Sequence, residues 1–84
     1  MASYSVVFRI EAKAEFFDIP FPFRRQLNQL VFKLMSNPRP PGAELIEGVL
    51  HKIMAHGWQV AYEIDDVRRV ITVIAFIKAT APSA

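Results

Sequence analysis

The chain has 84 residues with a formal net charge of +2, and 52% of its residues are hydrophobic. The absence of cysteine excludes disulfides and thiolate metal sites. The longest apolar run, Val70 to Ile77, is interrupted by a threonine and is too short to span a membrane. This length predicts one domain over residues 1–84. Because so small a domain cannot bury all of its apolar surface, we expect an exposed patch that binds another protein.

The first part of the chain predicts a strand followed by a short helix. Tyr4 to Ile10 is rich in β-branched and aromatic residues and favours a strand with Ile10 on its apolar face. Glu11 to Asp18 consists mainly of helix-forming residues and predicts the helix. Two prolines in Ile19 to Pro22 then end this helix, because proline does not fit inside one.

The second helix has the clearest pattern in the chain. It begins near Pro22, since proline is tolerated in a first helical turn, and it ends at Ser36-Asn37, before Pro38. The next segment, Asn37 to Gly42, contains three prolines and predicts a stiff connector that presents Arg39. Apolar residues recur at three- and four-residue steps and form one stripe: Leu27, Leu30, Val31, Leu34 and Met35.

The rest of the chain predicts an antiparallel sheet. Glu44 to Gly48 is ambiguous and is interpreted as one helical turn, with Leu45 and Ile46 holding it to the core. The order β-α-α-β-β-β predicts an α+β fold, in which a helical hairpin covers one face of a four-stranded, mostly antiparallel sheet. The opposite face is expected to be open. The three strands of this part are Val49 to Ala55, Trp58 to Asp65 and Arg69 to Lys78.

This order of elements resembles the RelE/ParE superfamily of bacterial toxins from type II toxin–antitoxin modules. The segments that carry the resemblance are YSVVFR, FFDIP, the loop from Pro38 to Leu45, HKIMAHGWQVAYEID and VRRVITVIAF. The resemblance implies a RelE/ParE-like fold, a cytoplasmic location and a cognate antitoxin as partner. It further implies either mRNA cleavage on the ribosome, as in the RelE branch, or inhibition of DNA gyrase, as in the ParE branch.

The resemblance also indicates candidate RNA-binding and catalytic residues. Lys52 matches a lysine of the family's hairpin strand and would hold phosphate together with Arg39, whereas His56 would transfer protons near neutral pH. Gln59 stands where ribonuclease members have an arginine that contacts the scissile phosphate. Lys78 closes the last strand, beyond which such members carry further basic or aromatic residues.

The two histidines are expected to point in different directions. His51 and Lys52 are neighbours on one strand, so their side chains lie on opposite faces, and Lys52 with His56 is the better pair. The histidines have no third ligand of a suitable type nearby, so the sequence predicts no metal site and no cofactor.

Two substitutions weaken the case for RNA cleavage. Gln59 brings no charge in place of the arginine, and Met54 occupies the second basic position of the hairpin strand. The lysine and the histidines also fit an ordinary solvated surface, and Trp58 fits a core anchor. Two hypotheses therefore stay open. One is a toxin with a weakened endoribonuclease site, and the other is a non-catalytic protein-binding member, such as a gyrase inhibitor or an inactive homologue.

Overall fold

A computed structural model of the chain describes residues 3–79 and shows two helices packed on a five-stranded mixed sheet. The elements are β1 (Ser5–Phe8), α1 (Ile10–Asp18), α2 (Phe21–Ser36), β2 (Glu44–Glu47), β3 (Leu50–Ala55), β4 (Trp58–Asp65) and β5 (Val70–Lys78). The strand order is β1-β5-β4-β3-β2, with β1 parallel to β5 and the other neighbours antiparallel. Within the described part of the chain, neither helix has the length and apolar character needed to cross a membrane.

The core lies between the helices and the helix-side face of the sheet. In α2, Leu27 and Leu34 are fully buried and Val31 is nearly so, which confirms the predicted stripe. In α1, Ala12 is fully buried, and its small side chain lets this helix pack closely on β5. The sheet contributes Ile53, Val60, Tyr62, Ile64, Ile71, Val73 and Phe76 to the same cluster.

The proline-rich connector is held in place by β4. The hydroxyl of Tyr62 donates a hydrogen bond of 2.8 Å to the carbonyl oxygen of Pro38. Both residues are buried, and burial raises the pKa of the Tyr62 hydroxyl. The bond satisfies a hydroxyl that would otherwise be buried without a partner, so the connector is fixed rather than flexible.

Several boundaries predicted from the sequence are confirmed. α2 ends at Ser36, directly before Asn37 and Pro38, and Pro22 lies in its first turn. β4 spans Trp58–Asp65 as predicted. β5 lies between β1 and β4, so it is a central strand, as its apolar character on both faces indicated.

Two predictions about strands are wrong. Ile10 does not belong to β1, because the strand ends at Phe8 and Ile10 is the first residue of α1, where its side chain is 84% exposed. The predicted helical turn is instead β2, a fifth strand formed by Glu44–Glu47 at the edge of the sheet. Leu45 and Ile46 are exposed rather than held in the core, because an edge strand has a neighbour on one side only.

Candidate functional site on the open face of the sheet

The β3–β4 hairpin determines which side chains share the open face of the sheet. Its turn, His56-Gly57, has positive φ angles of 54° and 83°, as in the type I′ turns that suit the twist of a hairpin. This turn sets a register in which Met54 pairs with Gln59, two residues along the strand from Lys52. The histidine is exposed at the end of the hairpin, where the turn geometry accounts for its position.

Lys52 lies on the open face, as predicted, but it has an anionic neighbour. Its Nζ atom is 3.5 Å from Oε2 of Glu44, the residue that pairs with it across β2 and β3. The two side chains are 36% and 68% exposed, so solvent screens the ion pair and it adds little to stability. This pair was not predicted, because residues 44–47 were expected to form a helical turn rather than a strand beside β3.

Gln59 lies between two apolar side chains on the open face. It pairs with Met54 on one side and with Ile77 on the other, and these two side chains are about half exposed, at 52% and 49%. We call Met54 and Ile77, together with Gln59 between them, the apolar row. Lys52 is the diagonal neighbour of Gln59, at roughly 7–8 Å in an antiparallel pair. A long side chain at position 59 would therefore extend toward the space beside the Lys52 ammonium group.

Lys78 does not share this surface. It pairs with Trp58 across β4 and β5, and directly paired residues lie on the same face of a sheet. Trp58 packs against the core, which confirms its predicted role as an anchor and places Lys78 on the helix side. RNA binding by Lys78 stays a prediction, and it would have to occur apart from Lys52.

Arg39 lies near the opposite end of β4 from the hairpin. Its guanidinium donates two hydrogen bonds to the carboxylate of Asp66, at 2.9 and 3.2 Å. The hydroxyl of Tyr4 donates a third to the same carboxylate, at 2.7 Å. Arg39 therefore ties the proline-rich connector to the β4–β5 turn. Its binding to RNA stays a prediction that requires this ion pair to open.

His51 and Lys52 point to opposite faces, as the alternation of side chains along a strand predicted. The ring of His51 is buried on the helix side, 5.7 Å from the ring of Tyr62 and nearly parallel to it. Its Nδ1 atom donates a hydrogen bond of 2.9 Å to the carbonyl oxygen of Val49. Of the two histidines, only His56 is therefore exposed to solvent.

The pKa of Asp66 is lowered to about 2 by the hydrogen bonds from Arg39 and then from Tyr4. The pKa of the Tyr4 hydroxyl is raised, chiefly by the same hydrogen bond. A carboxyl whose pKa is lowered in the folded state stabilises the fold at pH values above its ordinary pKa of 3.8. This contribution is lost as the pH falls through the folded-state pKa of about 2. The cluster therefore favours the folded state at neutral pH and loses that effect in acid.

We predict that Asp66→Asn removes part of the pH dependence of stability. The difference in free energy of unfolding between the natural chain and the variant should be constant above pH 5. It should shrink between pH 4 and pH 2, because only the natural chain has the carboxyl to protonate. Urea unfolding at several pH values measures this. Asp18→Asn, an exposed carboxyl of α1, is the control, and an equal pH effect there would contradict the assignment.

A second part of the open face is a shallow cleft beside the β4–β5 turn. Its volume is about 640 Å³. Its charged lining residues are three carboxylates, Glu63, Asp65 and Asp66, and one cation, Arg68. Asp65 accepts hydrogen bonds from two backbone N–H groups of the turn, and Asp66 is bound to Arg39. Glu63 takes part in no ion pair among residues 3–79.

No protein-family model matches the chain, and no curated protein matches it. Solved structures do match. The isolated Escherichia coli RelE toxin is 24% identical, with a TM-score of 0.85 over 95% of this chain and 88% of that chain. RelE in the intact E. coli RelBE toxin–antitoxin complex is 25% identical, with a TM-score of 0.82 over 93% and 99%. An E. coli RelE variant bound to a RelB antitoxin peptide is 27% identical, with a TM-score of 0.80 over 96% and 87%.

These similarities define the class of protein. A helical hairpin packed on a mixed sheet with an open opposite face is the architecture that the chain shares with the RelE toxins over nearly its whole length. The chain is thus a RelE-superfamily protein. The predicted resemblance and fold class are confirmed, with the correction that the sheet has five strands rather than four.

Proposed function

We propose that the chain is the toxin component of a type II toxin–antitoxin module. The observation that carries this proposal is the agreement with E. coli RelE over 93% of the chain in the RelBE complex and 96% in the complex with an antitoxin peptide. The partner is accordingly an antitoxin that binds this fold and covers its exposed apolar surface.

An exposed aromatic surface on the helices supports a protein partner. Phe17, Phe21 and Phe32 are 61%, 65% and 63% exposed. The guanidinium carbon of Arg24 lies 5.9 and 5.7 Å from the ring centroids of Phe17 and Phe21. Exposed aromatic side chains that flank shallow grooves are typical of surfaces that bind another polypeptide. We assign this surface to the antitoxin.

The toxic activity that we infer is slow, metal-independent cleavage of mRNA, on the ribosome as in the RelE branch. The reaction needs one group to accept the 2′-hydroxyl proton, one to stabilise charge on the phosphate and one to protonate the leaving oxygen. Lys52 would hold the phosphate and His56 would transfer protons. Gln59 would donate a hydrogen bond without charge, so the rate should be low.

A non-catalytic role is the second candidate, and the pairing of Lys52 favours it. Glu44 partly neutralises this lysine. The side chains next to Lys52 on the open face, toward the hairpin turn, belong to the apolar row, which contains no second cation. In this case the chain would act by binding protein alone. Its target would be DNA gyrase, as in the ParE branch, or it would be an inactive homologue bound only to its antitoxin.

Expression of the chain with and without its antitoxin distinguishes the two candidates. We expect mapped mRNA cleavage from the natural chain and its loss in Lys52→Ala. Both residues that pair with Gln59, Met54 and Ile77, are uncharged and cannot replace the lysine. Lys33→Ala, on the polar side of α2, is the matched control and should leave cleavage unchanged. Intact mRNA together with DNA damage would instead support the gyrase target, and no growth phenotype would indicate an inactive homologue.

A further inference from the structure

The open face of the sheet has an unusual charge for a surface that meets RNA. Lys52 is paired with Glu44, and Asp66, which lines the cleft beside the β4–β5 turn, is paired with Arg39. Once these pairs are set aside, the cleft retains two carboxylates, Glu63 and Asp65, against a single arginine. RNA binding depends on Lys and Arg side chains that neutralise phosphates, and uncompensated carboxylates oppose it.

The same face exposes apolar side chains at both ends. At the hairpin end, the apolar row presents Met54 and Ile77. At the other end, Val49 is 53% exposed and Val67 is 93% exposed, and both line the cleft beside Glu63. A surface that combines exposed apolar side chains with a carboxylate outside any ion pair, that of Glu63, is complementary to a polypeptide that carries apolar and cationic side chains.

We propose that the open face binds a basic, apolar segment of the antitoxin, with apolar side chains on the apolar row and a lysine or arginine at Glu63. This inference depends on the proposed function, because its partner is the antitoxin. A segment in this position would cover Lys52 and Gln59 and keep mRNA away from them. The carboxylates and the apolar row, which weaken RNA binding, would therefore favour a cationic polypeptide on this face.

The geometry defines the spacing of the partner's side chains. Gln59 and Glu63 are four residues apart on one strand, which corresponds to about 13 Å at roughly 3.3 Å per residue. A partner segment in extended conformation would place its basic residue about four positions from its apolar anchor. A helical segment, with a rise of about 1.5 Å per residue, would need about nine positions.

Calorimetric titration with the protein encoded by the adjacent reading frame, as the candidate antitoxin, tests the inference. We expect Glu63→Lys to raise the dissociation constant at least about tenfold, and Glu63→Gln to raise it less, with both effects shrinking in high salt. Glu11→Lys, the same change on an exposed position of α1, is the matched control and should change the constant less than about twofold. Circular dichroism verifies that each variant is folded, and Glu63→Gln serves if Glu63→Lys is not.

Each alternative result contradicts the inference in a recognisable way. A complex whose affinity is the same for Glu63→Lys and Glu11→Lys would overturn the binding site and leave the proposed function intact. The absence of any complex would overturn both. Binding of a 12-nucleotide single-stranded RNA that Glu63→Lys strengthens, with antitoxin affinity unchanged, would identify the face as an RNA surface. Self-association that Glu63→Lys abolishes, with antitoxin affinity unchanged, would identify the occupant as a second copy of the chain.

Discussion

Replacing Leu27 with alanine is expected to lower the free energy of unfolding by about 2–5 kcal/mol, as large-to-small changes in a packed core do. Leu27 is completely buried and belongs to the cluster that joins α2 to the sheet. Its truncation removes apolar contacts and leaves a cavity that the surrounding side chains fill only in part. Urea unfolding, followed by circular dichroism, measures the change.

Phe32→Ala is the matched control for this prediction, because Phe32 lies on the same helix and is 63% exposed. We expect a change of about 0.5 kcal/mol or less, as is usual at surface positions. A loss as large as that of Leu27→Ala would show that the helix presents a different face to the sheet. The comparison therefore tests the packing of α2 and not merely its presence.

Replacing Gln59 with arginine is expected to raise the rate of mRNA cleavage by about 100-fold, the lower part of the range that one preorganised charge-stabilising donor contributes. Gln59 is on the open face and diagonal to Lys52. A guanidinium there would bind, with two hydrogen bonds, the phosphate that we propose for Lys52. The rate is measured by primer extension on ribosome-bound mRNA.

Two further variants show whether the gain comes from this geometry. Gln59→Arg combined with Lys52→Ala should lose the gain, since the two cations act on one phosphate. Ser5→Arg adds the same charge to β1 at the far edge of the sheet and should change the rate less than about threefold. An unchanged rate in Gln59→Arg would count against a weakened nuclease and favour the non-catalytic candidate.

The parts of the fold that the sequence predicts are those with strong local signals. Pro22 and Pro38 mark the limits of α2, because proline is tolerated only at its start and excludes α-helix from the residue before it. The alternation in Trp58–Asp65 gives the bounds of β4. β2 was missed because its four residues are too few for a period to emerge, and its strand pairing comes from β3.

The candidate site was predicted only as far as strand alternation allows. Alternation places Lys52 and His51 on opposite faces, and both placements are observed. The partner of Arg39 could not be predicted, because Asp66 is 27 residues away and depends on the folding of the whole sheet. The same holds for Tyr4, which is 62 residues from Asp66 and contacts it through the parallel pairing of β1 with β5.

Growth of cells that express the chain alone, compared with cells that also express the adjacent reading frame, tests most directly whether this RelE-superfamily protein is a toxin. We expect viable counts to fall on induction of the chain alone and to recover when the candidate antitoxin is present. Unimpaired growth in the absence of the antitoxin, with the chain present at normal levels, would contradict the proposed function.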